Sequence, residues 1–217
     1  MDSGSDDQHW QSGEVLRQAA VFASGALGTR GNSRLRDIVA RAAALLGTPT
    51  AAISIIDRDR QWYPAIIGWN SEEDPRDVSF CSRAIEQPGE TLCVPDARED
   101  ERFATNPLVT GDPHIRFYAG VPLIEEGGRA LGALCAIAPQ PRPPLTDAQE
   151  KTLRALAREA VVEIERIENL RRFGTDAIEL VLSQIRTAAR EQNEQLLIAL
   201  DKVLQTIEAK LAVPPRD

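Results

Sequence analysis

Apolar residues recur at helical spacing in the first quarter of the chain. Between residues 14 and 27 they fall three or four positions apart, and a second stripe over residues 35–46 ends at Gly47. Asn32 or Ser33 stands where a cap for the second run is expected, and glycine is a common helix stop. The spacing predicts two consecutive helices.

From residue 51 onwards the apolar runs become short and are separated by turn residues. In chain order the pattern predicts strands at 51–56 and 61–68, a polar loop at 70–78, a short helix from Ser79, a strand at 91–94, a long loop or broken helix at 98–114, and strands at 118–124 and 130–137. The first and last pairs of strands read as hairpins, so an antiparallel sheet is expected.

Helical spacing returns near residue 146. Thr146 and Gln149 form a capping-box pattern at the start of a long helix that runs to Arg172. Gly174 is predicted to interrupt it. Between residues 175 and 211 the apolar positions approach a heptad repeat, which predicts a helix suited to a coiled coil.

The order of elements predicts an α+β domain over residues 13–172. Helices are expected on one face of the antiparallel sheet, and a loop with a short helix on the other. Residues 1–12 are polar and acidic without periodicity and are predicted to be disordered. Residues 175–211 are predicted to be a separate dimerisation or signalling helix.

Charge and cysteine content narrow the classes of partner. The formal net charge is −8 and the pI is about 5.0, and such an acidic surface repels nucleic acid and anionic lipid. No apolar run approaches the roughly 18 residues of a membrane span, and the acidic start lacks the order of a secretion signal. Three cysteines without a CxxC pair predict free thiols and a cytoplasmic protein. The two histidines form no metal constellation.

The most specific motifs lie between Ser79 and Ile137. They are SFCSRAI at 79–85, VPDA at 94–97, RFATNPLV at 102–109, IRFYAGVPL at 115–123 and LGALCAI at 131–137. In order and spacing they resemble a GAF domain, a sensing module common in bacterial regulators, and the resemblance covers roughly residues 35–165. The likeness is to the subgroup found ahead of diguanylate cyclase and histidine kinase modules, although Ala138 stands where that subgroup usually has Asp before a Pro-Arg pair.

The resemblance implies a ligand pocket between the sheet and its loop cover. Carried over position by position, the candidate ligand-binding residues are Phe80, Cys81, Ile85, Asp96, Phe103, Asn106, Arg116, Phe117, Tyr118, Ala119, Leu134 and Cys135. The sequence names neither a ligand nor a cofactor. The alternative is a core filled by its own side chains, because a fold does not imply a function.

Four of these residues have an open role. Phe117 and Tyr118 are neighbours in a predicted strand, so their side chains face opposite sides of the sheet. Arg116 suits either an anionic ligand or an ion pair with Asp96, and Asp96 also suits a cap of the turn that follows it.

Cys81 is the best candidate for a reactive thiol. It lies at the start of a predicted helix with Arg83 close in sequence, whereas Cys93 and Cys135 lie in apolar strands. An inert buried thiol is the alternative for all three. Another branch of the GAF family reduces free methionine sulfoxide with three cysteines, but here only Cys81 falls near an expected position. The Cys-His pair of bilin-binding members is absent.

These observations predict a bacterial, cytoplasmic, non-enzymatic GAF sensor. It would bind a small molecule or sense redox state, form a homodimer through its helices, and act on a regulator or kinase partner. No output-domain motif follows Leu211. The alternatives are a scaffold for protein–protein interaction and a thiol-based reductase.

Overall fold

The structure is a computed structural model that describes the backbone of residues 3–191 and 194–211 and the side chains of residues 13–187 and 198–207. It divides into two compact units, one up to Glu165 and one from Arg166. The first unit holds the sheet.

The first unit contains a six-stranded antiparallel sheet. Its strands are β1 (Thr50–Ile56), β2 (Arg60–Ile67), β3 (Glu73–Pro75), β4 (Leu92–Val94), β5 (Phe117–Ile124) and β6 (Ala130–Ala138), in the spatial order β3-β2-β1-β6-β5-β4. β1 and β6 are the central pair, with Ala52 opposite Cys135. β3 is a short edge strand within the segment 70–78, which was predicted to be a polar loop.

Six α-helices are described. They are α1 (Ser3–Ala23), α2 (Ser33–Leu46), α3 (Phe80–Ala84), α4 (Pro107–Thr110), α5 (Asp147–Glu191) and α6 (Glu194–Leu211). The capping prediction for α2 is confirmed, because the Asn32 side chain accepts the Leu35 N–H at 3.0 Å and Gly47 closes the helix in the left-handed region at φ 61°. The antiparallel sheet with its helices confirms the predicted α+β fold.

The two faces of the sheet are covered differently. α2 packs against β1, β2 and β6, whereas α3 packs against β5, β6 and β1. Phe80, Cys81 and Ala84 of α3 share one buried cluster with Tyr118 of β5 and Cys135 of β6, and α2 contributes nothing to that cluster. We call these the helix face and the cover face.

Two predicted boundaries are wrong. The backbone is helical from Ser3, so residues 3–12 are not the disordered segment that was expected, and residues 1 and 2 lie outside the described part. Helix α5 continues through Gly174 to Glu191. Extending an existing helix is easier than starting one, and a glycine costs only about 1 kcal/mol within it. The next helix begins at Glu194, and residues 192 and 193 are outside the described residues.

Candidate functional site

A small cavity lies between the sheet and the α3 cover. Its volume is about 20 Å³, close to the space that one water molecule needs. Its walls come from β2, the loop after β2, β3, the segment that leads into α3, α4 and β5. The lining residues are Gln61, Tyr63, Trp69, Asp74, Val78, Ser79, Phe80, Cys81, Leu108, Ile115, Tyr118 and Ile137.

One wall of the cavity is a chain of hydrogen bonds. Tyr63 donates its hydroxyl to Asp74 Oδ2 at 2.6 Å, and the Trp69 indole donates to the same oxygen at 3.0 Å. The Gln61 amide donates to the Tyr63 hydroxyl, and the Ser79 hydroxyl donates to Gln61. Burial raises the pKa of Tyr63, and its bond to Asp74 raises it further, so this phenol stays a donor.

β3 makes this wall possible. Gln61 of β2 pairs with Asp74 of β3, so the edge strand brings the carboxylate beside the β2 side chains. Ser79 caps α3 by accepting the Ser82 N–H at 3.0 Å, which fixes the start of the cover helix against the same wall.

The opposite wall is aromatic. Phe80 stacks on Phe103 with ring centroids 4.0 Å apart and lies 5.2 Å from Tyr118. The Tyr118 ring lies over Gly120, where an added Cβ would come within 2.1 Å of the Tyr118 hydroxyl oxygen. Glycine at position 120 is therefore what lets the ring lie flat, and the hydroxyl donates to Cys81 Sγ at 3.2 Å.

The thiols beside this wall are enclosed. Cys81 is 2% exposed and Cys135 is 1% exposed. The hydrogen bond with Cys81 and burial raise the pKa of Cys135 well above its usual value. Burial also raises the pKa of Cys81, but the polar groups of the neighbouring Cys135, Ser54 and Tyr118 side chains outweigh it and lower the pKa. The guanidinium of Arg83 pairs with Glu86 at 2.8 Å on the surface, so its salt bridge is with a carboxylate rather than a thiolate.

The predicted site residues separate into four groups. Phe80, Cys81 and Tyr118 line the cavity, and Ile85, Phe103 and Cys135 belong to the buried cluster around it. The structure does not bring Phe117, Ala119 and Leu134 to the cavity, because alternation along β5 and β6 turns them to the helix face while Tyr118 and Cys135 face the cover. They are corrected to core positions.

The remaining three predicted residues hold the cover loops. Asp96 pairs with Arg98 at 2.6 Å and accepts its N–H, and Arg98 lowers the pKa of that carboxyl. The Arg116 guanidinium donates to the carbonyls of Val109 and Ile115 at 2.8 and 3.0 Å. The described contacts therefore favour the turn cap for Asp96 over the ion pair with Arg116.

Asn106 caps α4 and ties it to the segment before α3. It accepts the Leu108 N–H at 2.9 Å and donates to the Val78 carbonyl at 3.0 Å. Both neighbours line the cavity, so Asn106 positions its walls from outside.

Gln61, Tyr63, Trp69 and Asp74 were missed by the sequence reasoning. Aromatic residues make up 5% of the chain and only two of them are tyrosines, so Tyr63 and Trp69 could have been singled out as rare. Asp74 carried no such signal, because its role depends on the pairing of β3 with β2.

The Pro-Arg pair after β6 has a structural role here. The Arg142 guanidinium donates to the carbonyls of Leu46 and Gly47 at 2.6 and 2.7 Å, and it lies 5.9 Å from the centroid of the Phe117 ring. It closes the end of α2 on the helix face.

Comparison with known proteins agrees with this architecture. The GAF domain family profile matches residues 31–164, more than half of the chain, and the protein belongs to the GAF domain family. The more specific likeness to modules ahead of diguanylate cyclases and histidine kinases stays a prediction.

A cyclic di-GMP phosphodiesterase of Pseudomonas aeruginosa is 38% identical over 91% of this chain. The chain spans 33% of that relative's length. The name of the relative implies an enzyme and contradicts the prediction that the protein is not one. The activity is, however, that of a protein about three times as long as this chain.

Two solved structures share the fold. The GAF domain of an Acinetobacter phosphoenolpyruvate-protein phosphotransferase is 17% identical, with a TM-score of 0.52 over 73% of this chain and 96% of its own. A type II free methionine-R-sulfoxide reductase of Thermoplasma acidophilum is 12% identical, with a TM-score of 0.51 over 62% of this chain and 92% of its own. At these identities the likeness shows the fold alone.

Two features are absent from the described residues. No group of three or more His, Cys, Asp and Glu side chains there is arranged to hold a metal ion. No described helix combines the length and apolar character needed to cross a bilayer.

Proposed function

We propose that this chain is a small-molecule-sensing regulatory module that controls cyclic di-GMP hydrolysis in the cytoplasm. The single observation that carries the proposal is the 38% identity to a cyclic di-GMP phosphodiesterase over nearly the whole chain. All three cysteines are free thiols, which is consistent with a reducing compartment.

The cavity supports the sensing half of the proposal. It joins a polar wall to an aromatic wall under a cover of short helices, and small-molecule sites combine apolar surface with a few polar groups in this way. A ligand that competes for the bonds of Ser79 or Asp74 would change how the cover segment is held. Redox sensing has less support, because Cys81 and Cys135 are almost completely buried.

A charged network links the cover segment to α1. Arg76 lies in a short 3-10 helix (Arg76–Val78) that leads to Ser79. Its guanidinium donates to the Glu14 carboxylate of α1 at 2.7 Å. Arg17, which is 7% exposed, contacts Glu14 at 2.8 Å and donates to the carbonyls of Ile56 and Ala130. A change at the cover can therefore reach α1 through one carboxylate.

Exposed apolar residues on the helices support a homodimer. In the first unit Val15, Leu16 and Phe22 of α1 are 68%, 54% and 84% exposed. In the second unit the exposed apolar residues are Leu170, Phe173, Ile178, Leu180, Leu182, Ile198 and Val203. Two-fold pairing of equivalent helices would cover these exposed apolar side chains as a coiled coil or bundle.

A chimera tests the proposal. This chain would replace the matched third of the Pseudomonas aeruginosa phosphodiesterase, and hydrolysis of cyclic di-GMP would be measured. We expect the chimera to be active and Glu14→Gln to change its rate, because the link between cover and α1 is broken. Glu86→Gln, which removes an equally short surface pair with Arg83, is the control. A rate that is indifferent to Glu14→Gln contradicts the proposed route.

A scaffold without a ligand is the second candidate, and the small cavity volume favours it. Native mass spectrometry of the purified chain separates the two. A retained small molecule supports sensing, whereas a mass equal to the bare chain together with an active chimera supports the scaffold. Light scattering on the same sample tests the dimer.

A further inference from the structure

The chain concentrates its few aromatic residues around the cavity. It has two tyrosines, three tryptophans and five phenylalanines in 217 residues. Both tyrosines, Trp69 and Phe80 line this one cavity, and Phe103 stacks behind Phe80. Aromatic faces carry negative electrostatic potential, so this concentration favours a cation.

The charges of the lining residues also favour a cation. Asp74 is the one carboxylate among its lining residues, and no arginine, lysine or histidine lines it. The donors to Asp74 Oδ2 are a phenol and an indole, both neutral. Within the described part of the chain, Asp74 forms no ion pair, and its second oxygen, Oδ1, accepts no side-chain hydrogen bond.

These features exclude an anionic ligand. A phosphate placed here would meet a carboxylate and electron-rich rings, and no cation among the lining residues would offset the repulsion between like charges. Cyclic di-GMP, which carries phosphates, does not suit this cavity. In the proposed function it would be the molecule whose hydrolysis is controlled, not the signal that is sensed here.

The volume of the cavity limits the size of the cation that it can hold. A volume of about 20 Å³ holds a group the size of one water molecule, which an ammonium head matches and a quaternary ammonium exceeds. A primary ammonium also has three N–H donors, and a carboxylate with a free oxygen accepts them in the strong charge-assisted form.

We propose that the cavity binds the ammonium group of a small primary amine, with Asp74 as its counter-ion and the aromatic side chains that line the cavity around it. The inference rests on the proposed function in one respect, that this cavity is the sensing site. It adds the chemical class of the ligand.

Methylammonium chloride is the probe, and the indole N–H resonance of Trp69 in a ¹H–¹⁵N spectrum is the readout, because that group bonds to Asp74. We expect a saturable shift at Trp69 and none at Trp62. Methanol removes the charge of the probe, acetate reverses it, and tetramethylammonium keeps the charge but is larger. Each of the three is expected to bind at least about tenfold more weakly than methylammonium.

Asp74→Asn should lower the affinity for methylammonium about tenfold, since a charged acceptor becomes neutral. Glu73→Gln is the matched control, because it removes the same charge from the neighbouring exposed residue, and it should leave the affinity unchanged. If Asp74→Asn does not fold, Trp69→Leu gives the same test through the Gln61 side-chain amide, with about a threefold loss expected.

The outcomes separate this inference from the proposed function. No shift with methylammonium, or equal affinity in Asp74→Asn, overturns the inference. Saturable binding of methanol or acetate at Trp69 overturns it too, but leaves the cavity as a small-molecule site. If Glu14→Gln changes the rate of hydrolysis in the chimera and methylammonium still binds, the result supports both the proposed function and this inference.

Discussion

The two faces of the central sheet are built from different side chains. On the helix face Val121, Leu123 and Leu134 are aliphatic and at most 3% exposed. On the cover face Tyr63 and Tyr118 carry hydroxyl groups that are buried yet bonded. A dry aliphatic layer needs no partners to be stable, whereas every polar group on the cover face costs free energy unless it is satisfied. The helix face is therefore suited to stability and the cover face to recognition.

The largest effect is expected on the helix face. Leu134→Ala should lower the free energy of unfolding by about 3 kcal/mol, because it leaves a cavity in a fully buried layer. Denaturant titration measures it. Val162→Ala, at a position 63% exposed, should stay within about 0.5 kcal/mol. Equal losses in the two variants would mean that the helix face is not the stable layer.

Gly120→Ala should have the next largest effect. It should lower the free energy of unfolding by about 2 kcal/mol, because the added Cβ would overlap the Tyr118 hydroxyl and force the ring aside. Thermal unfolding measures the loss. Adding Tyr118→Leu should recover part of it by removing the obstructed ring. If the double variant is destabilised by the simple sum of the two changes, the proposed clash is absent.

Tyr63→Phe should lower the free energy of unfolding by about 1.5 kcal/mol, since it deletes the hydrogen bond to Asp74 and the one from Gln61 while phenylalanine fills the same space. The main effect of this variant is expected within the hydrogen-bond network. The Trp69 indole resonance should move, because Asp74 loses a competing donor. An unchanged Trp69 resonance would show that the cover face does not work as one network.

The smallest effect concerns the pH dependence of the α1 link. Burial opposes ionisation of Glu14, but hydrogen bonds from Arg17, Arg76 and Gln18 outweigh it and lower its pKa from 4.5 to about 2. Its contribution is therefore complete above about pH 4.5 and is lost as the pH falls towards 2. Glu14→Gln should lower the free energy of unfolding by about 1 kcal/mol at pH 7, because solvent still reaches the pair, and by progressively less as the pH falls from about 4.5 towards 2.

Chemical denaturation of both proteins between pH 7 and pH 2 measures that difference. A gap between wild type and Glu14→Gln that stays constant over this range would contradict a role for the ionised carboxylate. Other lowered carboxyl groups, such as Asp96 and Asp100, titrate equally in both proteins and cancel.

Local signals made parts of the fold predictable. Asn32 and Gly47 fix the ends of α2 because a cap needs only its own helix, and β5 and β6 follow from the short apolar runs on either side of Gly127-Gly128. β3 was not predictable: its three residues are polar and end in proline, and it is a strand only because β2 offers an edge. The residues that β3 positions, above all Asp74, were lost with it.

The candidate site was half predictable for the same reason. Phe80, Cys81 and Tyr118 fell within recognisable motifs, and the structure places them at the cavity. Phe117, Ala119 and Leu134 lie in the same motifs, yet the pleat turns them away. A motif identifies a segment, and the direction of each side chain within it depends on which sheet face the cover occupies.

By itself the sequence determined the order of helices and strands, the caps of α2 and the scarcity of aromatic residues, because these depend on periodicity and composition along the chain. Its motifs between Ser79 and Ile137 carried the resemblance to GAF domains. Only the tertiary structure decided that Tyr63, Trp69 and Asp74 meet at one cavity and that Cys81 is enclosed, because both depend on the packing of α3, α4 and β5 against segments distant from them in sequence.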